Sequence, residues 1–137
     1  MRIAWAIPCV RVRTRADGLL DLLGSQIDSV VLPSLPTEIE FDVAIRLTGP
    51  EQDFAQEHLV QVVLSDPQLE AIGTLDLPVY PRAALATHIP GYEINANLGA
   101  RIAFEPYDEG GYDLSFALDG EAQHRHKTTL SAILREP

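Results

Sequence analysis

Residues 38–48, EIEFDVAIRLT, leave this chain little choice of local structure. Ile39, Phe41, Val43, Ile45 and Leu47 recur at every second position. A helix would scatter these side chains around its circumference, whereas a strand places all of them on one face. The pattern repeats along the chain. HLVQVVLS carries Val60, Val62 and Leu64 in a row, TLDLPVY carries Leu75, Leu77 and Val79, and YDLSFALDG carries Tyr112, Leu114, Phe116 and Leu118. DSVVLPSLP and YEINANLGARIAF also read as extended. Turn residues punctuate these runs at Thr48-Gly49-Pro50, Ser65-Asp66-Pro67, Glu109-Gly110-Gly111 and Asp119-Gly120.

Helical signals are weak. Residues 16–26, ADGLLDLLGSQ, are long enough for a turn or so of helix, with Gly18 and Gly24 cutting the run short. Residues 50–57 place Pro50 where a first helical turn accepts it, over a short segment. About seven to nine short strands separated by turns predict an all-β fold: a single antiparallel β-sandwich, immunoglobulin-like or related, with little helix. A chain of 137 residues with 46% hydrophobic residues can bury one core without staples, and no linker or internal repeat divides it. One domain over 1–137 is expected.

The N-terminal strand has an irregularity. Ile3, Trp5, Ile7 and Cys9 share one parity, after which the apolar residues switch to Val10 and Val12. A strand exchanges faces only through a slip, and Pro8 lacks the N–H of regular central pairing. A bulge or bend is expected near Pro8-Cys9. Trp5 reads as a core anchor. Cys9, the single cysteine, has no internal disulfide partner and reads as a small buried hydrophobe.

Charge narrows the function classes. Ten basic residues against twenty acidic ones leave a formal charge of −10. That balance argues against nucleic acid, whose binders cluster cations along a backbone track, and against an anionic membrane surface. The apolar run in MRIAWAIPCVRVRTR is broken by Pro8 and too short to cross a bilayer. A cytoplasmic location is expected, or the virion for a phage-encoded chain.

Two constellations stand out. Arg11, Arg13 and Arg15 share a parity beyond the expected bend and form a positive strip, suited to an anion or an acidic partner. The plainer reading is a solvated face paired with neighbouring acids. His124 and His126, two apart in AQHRHKTT, project to one side if that segment is a regular strand. Two such histidines can ligate zinc, with His58, His88 and an acid to complete the set. The opposing parity, Arg125, Lys127 and Thr129, is also polar. The stretch therefore reads as the exposed part of the second arm of a hairpin whose turn is Asp119-Gly120. No metal and no cofactor are expected. No nucleophile elbow, dinucleotide fingerprint or phosphate loop is present.

Three segments together resemble a known family. ADGLLDLLGSQIDSVVLPSLPTEIEFDVAIRL, EHLVQVVLSDPQLEAIG and HIPGYEINANLGARIAFEPYDEGGYDLSFALDG are similar to the successive strands and turns of small bacterial proteins of unknown function, common in actinobacteria. The resemblance implies a β-sandwich. It carries over no catalytic residue, because the matching positions, Gly91, Gly111, Tyr112, Asp119 and Gly120, are turn and core positions. GLLDLLG is more apolar than the family's pattern, and AQHRHKTT departs from it. The expected function is a non-enzymatic protein-binding or scaffold module, with a protein partner or a homo-oligomer, such as a component of a phage virion. The alternative is a small metal-dependent hydrolase or ligand-binding protein using His124 and His126.

Overall fold

The computed structural model describes residues 1–81 and 89–136. Ten strands form two open sheets. They are β1 (Arg2–Thr14), β2 (Leu20–Ser25), β3 (Ser29–Leu32), β4 (Ile39–Gly49), β5 (His58–Ser65), β6 (Ala71–Val79), β7 (Ile94–Phe104), β8 (Gly110–Leu118), β9 (Glu121–Ala122) and β10 (Thr128–Leu134). The first sheet runs β2-β1-β4-β7 and the second β3-β10-β8-β5-β6, with β9 also pairing β8. Two short 3-10 turns, Glu51–Ala55 and His124–His126, complete the regular structure. The all-β sandwich expected from alternation is the architecture found. Among the described residues it has ten strands rather than about seven to nine, and the pair of β3 with β10 is parallel.

The predicted rows fill the space between the sheets. Phe41, Val43, Ile45 and Leu47 of β4 face Val60, Val62 and Leu64 of β5 and Tyr112, Leu114, Phe116 and Leu118 of β8, all buried. Each such side chain contributes roughly 1.5–3 kcal/mol by leaving water. Phe104 joins the layers, lying 6.4 Å edge-on from Phe41 and 5.2 Å from Tyr112. The Tyr112 hydroxyl donates to the Asp108 carbonyl at 2.9 Å and pins the turn that enters β8. Leu130 and Ala132 bring β10 into the same core, while Ile133 points outward.

The N-terminal strand slips between Ile3 and Trp5, not at Pro8–Cys9. At Cys9 it does something different: pairing with β4 ends there, and pairing with β2 begins and continues to Thr14. The far half of β1 then folds across the outer face of its own sheet. The Val12 amide donates to Asp42 Oδ2 at 2.7 Å, and the Asn97 side chain donates to the Gly18 carbonyl at 2.9 Å. Gly99 of β7 lies directly beneath, where a Cβ would sit 2.9 Å from Val12 Cγ1. This is why Asp42 is inaccessible although it alternates with the core row; Thr48, at the other end of β4, is buried beside Arg2 and Glu93. Trp5, opposite Arg46 on the outer face, is half-buried rather than a core anchor. Cys9 is fully buried beside Asp42. Burial and the nearby Asp42 raise its thiol pKa, so it stays protonated.

Residues 16–26 form no helix. Gly18 supplies the positive φ of the β1–β2 turn, and Gly24 leaves room for Val10, whose Cγ2 would lie 2.6 Å from a Cβ there. Replacing Gly99 with Val forces the hairpin off β7. Urea denaturation should show a loss of about 1–3 kcal/mol, the cost of overpacking. Gly73→Ala, at a site with nothing within 4 Å, should lose less than 1 kcal/mol by the usual strand scale. Equal losses would contradict the close approach.

Candidate functional site

The arginine strip sits on the hairpin's solvent side. Val12 faces β7, so Arg11 and Arg13, of the opposite parity, face outward, opposite Leu23 and Asp21. Arg15 lies beyond the strand and pairs with Asp17 at 2.9 Å and Asp21 at 3.9 Å. The solvated, acid-paired reading therefore holds for Arg15. Arg11 and Arg13 have no ion-pair partner among the described residues.

His124 and His126 are not on a strand. Asp119 and Gly120 both take positive φ, 50° and 82°, and form the expected tight turn between β8 and β9. The returning arm then breaks. Ala122 pairs with Ala117 and Thr128 with Leu114, so the five residues 123–127 span a gap of two on β8. The excess coils into the 3-10 turn His124–His126, held by Gln123 N–H to the Phe116 carbonyl at 2.7 Å and His126 N–H to the Gln123 carbonyl at 3.1 Å. With three residues per turn, positions i and i+2 diverge by about 120°. The shared strand face of the sequence reading is therefore absent, although both histidines border one depression. Among the described residues no three His, Cys, Asp or Glu side chains form a group that could hold a metal. His88 lies outside the described residues.

His58 is engaged elsewhere, in a clasp the sequence reading missed. Its Nδ1 meets Asp119 Oδ2 at 2.6 Å, and its Nε2 meets the Asp53 carbonyl. Both partners are acceptors, so both ring nitrogens donate and the ring is an imidazolium. Asp119 also accepts the Leu59 amide on Oδ1 at 2.9 Å, and Asp53 takes the Met1 amine at 2.6 Å. The clasp ties the turn after β8, the start of β5 and the 3-10 turn Glu51–Ala55 together at one end of the sandwich. Burial favours loss of the His58 proton, but the bonds to Asp119 and the Asp53 carbonyl outweigh it and raise its pKa. Burial alone would raise the Asp119 pKa, and the His58 and Leu59 donors bring it below its ordinary value. With both nitrogens occupied, the ring has no free position for a metal or for acid–base work.

The second 3-10 turn borders the largest depression described, about 600 Å³, lined by Arg2, Ile3, Ala4, Ala122, Gln123, His124, Arg125 and His126. Arg2, absent from the sequence-based candidates, enters it from β1, held by two bonds of 2.8 and 3.0 Å to Glu93. A further depression of about 380 Å³ follows along β1, beside Ala6, Ile7 and Pro8. At the opposite seam, between β6 and β7, lies an open depression of about 210 Å³ with apolar side chains and also Thr74 and Arg101 in its lining.

Comparison with protein-family models, curated proteins and solved structures finds no match to this chain. None of the described helices is long and apolar enough to cross a membrane.

The clasp sets a pH dependence. His58 has a raised pKa when folded, so its contribution is complete below the ordinary value of 6.5 and is lost as pH rises through the folded value. Asp119 has a lowered one, so its contribution is present above 3.8 and lost as pH falls through the folded value. Thermal stability should therefore fall as pH rises from the mildly acidic range into the alkaline range, and His58→Gln should flatten that fall. Loss of the charge-assisted bonds should cost about 1–3 kcal/mol at pH 6. An identical pH profile in the variant would contradict the assignment.

Proposed function

We propose that the chain is a non-enzymatic protein-binding or scaffold module that works through the edges of its sandwich. The proposed setting is the cytoplasm or, for a phage-encoded chain, a virion in which it serves as a structural component. The observation that supports this most is β7. It runs for 11 residues, and among the described residues it is bonded along one side only, to β4. An edge of this length presents a row of N–H and C=O groups to any extended segment that aligns with it.

Natural edges are commonly blunted by charge or proline. β7 has no proline, and its one charged side chain, Arg101, is turned to its own sheet, with Nε 3.1 Å from Asp42. The adjacent depression, whose lining includes Val62, Leu64, Ile72, Leu75, Ile102 and Phe104, offers apolar room for alternate side chains of an added strand. A net charge of −10 repels a second copy, which favours a different protein as the partner.

Cross-linking in the cells that make the protein should recover adducts through β6 and β7. Ile72→Glu combined with Ala103→Lys should abolish them while changing stability by less than about 1 kcal/mol, as exposed positions do. Adducts that survive both substitutions, or a chain that forms none through this edge, would contradict the proposal.

A further inference from the structure

We infer that the cleft between the N-terminal half of β1 and the 3-10 turn His124–His126 is a second binding site, which takes an extended, acidic segment of another protein. This rests on the reading of the chain as a binding module, but on a different edge. Two irregularities meet there. On one side is the slip between Ile3 and Trp5; on the other are the extra residues that lift His124–His126 out of the hairpin arm. Neither is needed to close the core, and together they open the 600 Å³ cleft.

The backbone of β1 is available where the cleft runs on into the neighbouring depression beside Ala6. Ladder pairing with β2 starts only at Cys9, and the residues before Pro8 pair with β4 alone. The Pro8 carbonyl accepts the Ile27 amide at 3.0 Å and so points away from β4. In a strand, residues two apart point their peptide groups the same way, so Ala6 presents both its N–H and its C=O to the open side. Its neighbours beyond the slip, Ile3 and Ala4, line the cleft itself. An extended segment laid along β1 finds main-chain partners here, which a small anion cannot use.

Charge selects the kind of segment. Among the residues lining the cleft there are two arginines and two histidines and no carboxylate, in a chain with twice as many acidic as basic residues. Arg2 is already held by Glu93. Arg125, His124 and His126 have no ion-pair partner among the described residues. Glu121 lies beside the His58 clasp, and Asp28 borders the neighbouring depression at Ala6, so the acidic side chains of the segment are received at the His124–His126 end. The chain's overall negative field is screened beyond about 8 Å at physiological salt. At contact, the local set of donors decides, and guanidinium groups are suited to carboxylates, with imidazole N–H donors beside them.

The test is a titration of isotope-labelled protein, followed by amide chemical shifts, with a short peptide alternating threonine and glutamate. The same peptide with glutamine, and inorganic phosphate, serve as comparisons. The glutamate peptide should shift the amides of Ala4, Ala6 and residues 123–127, and bind about 10-fold more tightly than the glutamine peptide, the factor expected for one charge-assisted bond. Arg125→Gln should remove that advantage, while the remaining spectrum shows that the fold is intact. Equal binding of the two peptides would overturn the acidic preference. Phosphate that produces the same shifts and displaces the peptide would overturn the peptide assignment in favour of a small-anion site. Shifts confined to β6 and β7 would overturn this cleft and leave the proposed edge-binding function standing. No shifts with either peptide would overturn the cleft alone, because the other edge is read by cross-linking.

Discussion

Asp42 is the residue on which the arrangement of this protein depends. It sits mid-strand on β4, is almost wholly inaccessible, and is ringed by donors. The Val12 amide and Arg101 Nε both donate to its carboxylate, while its own carbonyl accepts the Cys9 thiol. A buried carboxylate without partners costs several kcal/mol, so one this enclosed persists only when its neighbours supply hydrogen bonds. Those neighbours belong to two strands, β1 and β7, one on each side of β4. Asp42 thus fixes where β1 leaves β4, how the β1–β2 hairpin lies over the sheet, and how β7 is held at the far side.

The rest of the architecture follows from that anchor. With the hairpin laid over it, the outer face of β4 is covered around Asp42 and Ala44, with Glu40 left exposed and Arg46 half-buried. Arg101 is drawn inward by the same carboxylate, which takes from β7 the one charge that could have guarded its edge. What remains for recognition is the perimeter: β7 beside β6 on one seam, and β1 beside the His124–His126 turn on the other. The proposed use of the edges rests on this perimeter.

The core was legible in the sequence because alternation is a direct record of burial: the rows predicted on β4, β5, β6 and β8 lie between the sheets, whereas the slip takes Trp5, Ile7 and Cys9 of the β1 row to the outer face. The features that shape the surface were not, each for a physical reason. Asp42 occupies an outward parity position, where an acid ordinarily meets water, and only a hairpin folding back from distant sequence gives it donors. Gly18 and Gly24 looked like breakers of a helix, yet they serve a turn and a close approach to Val10. Pro8 marked the point where β1 changes partners, but the slip lies earlier, at a position with no Gly or Pro to signal it. His124 and His126 were read at strand spacing because the three surplus residues of their arm show only when the register with β8 is known. His58 and Asp119 are 61 residues apart, and no local pattern couples them.

Amide hydrogen exchange on the isolated protein tests the central claim most directly, by comparing two residues of the same strand. Val12 donates its amide to a buried carboxylate beneath the hairpin, whereas Ala6 points its amide to an open edge. Val12 should exchange slowly, in step with global unfolding, and Ala6 should exchange near the rate of an exposed peptide. A fast Val12 would mean that the hairpin does not cover the sheet, and a protected Ala6 would mean that the β1 edge is already closed.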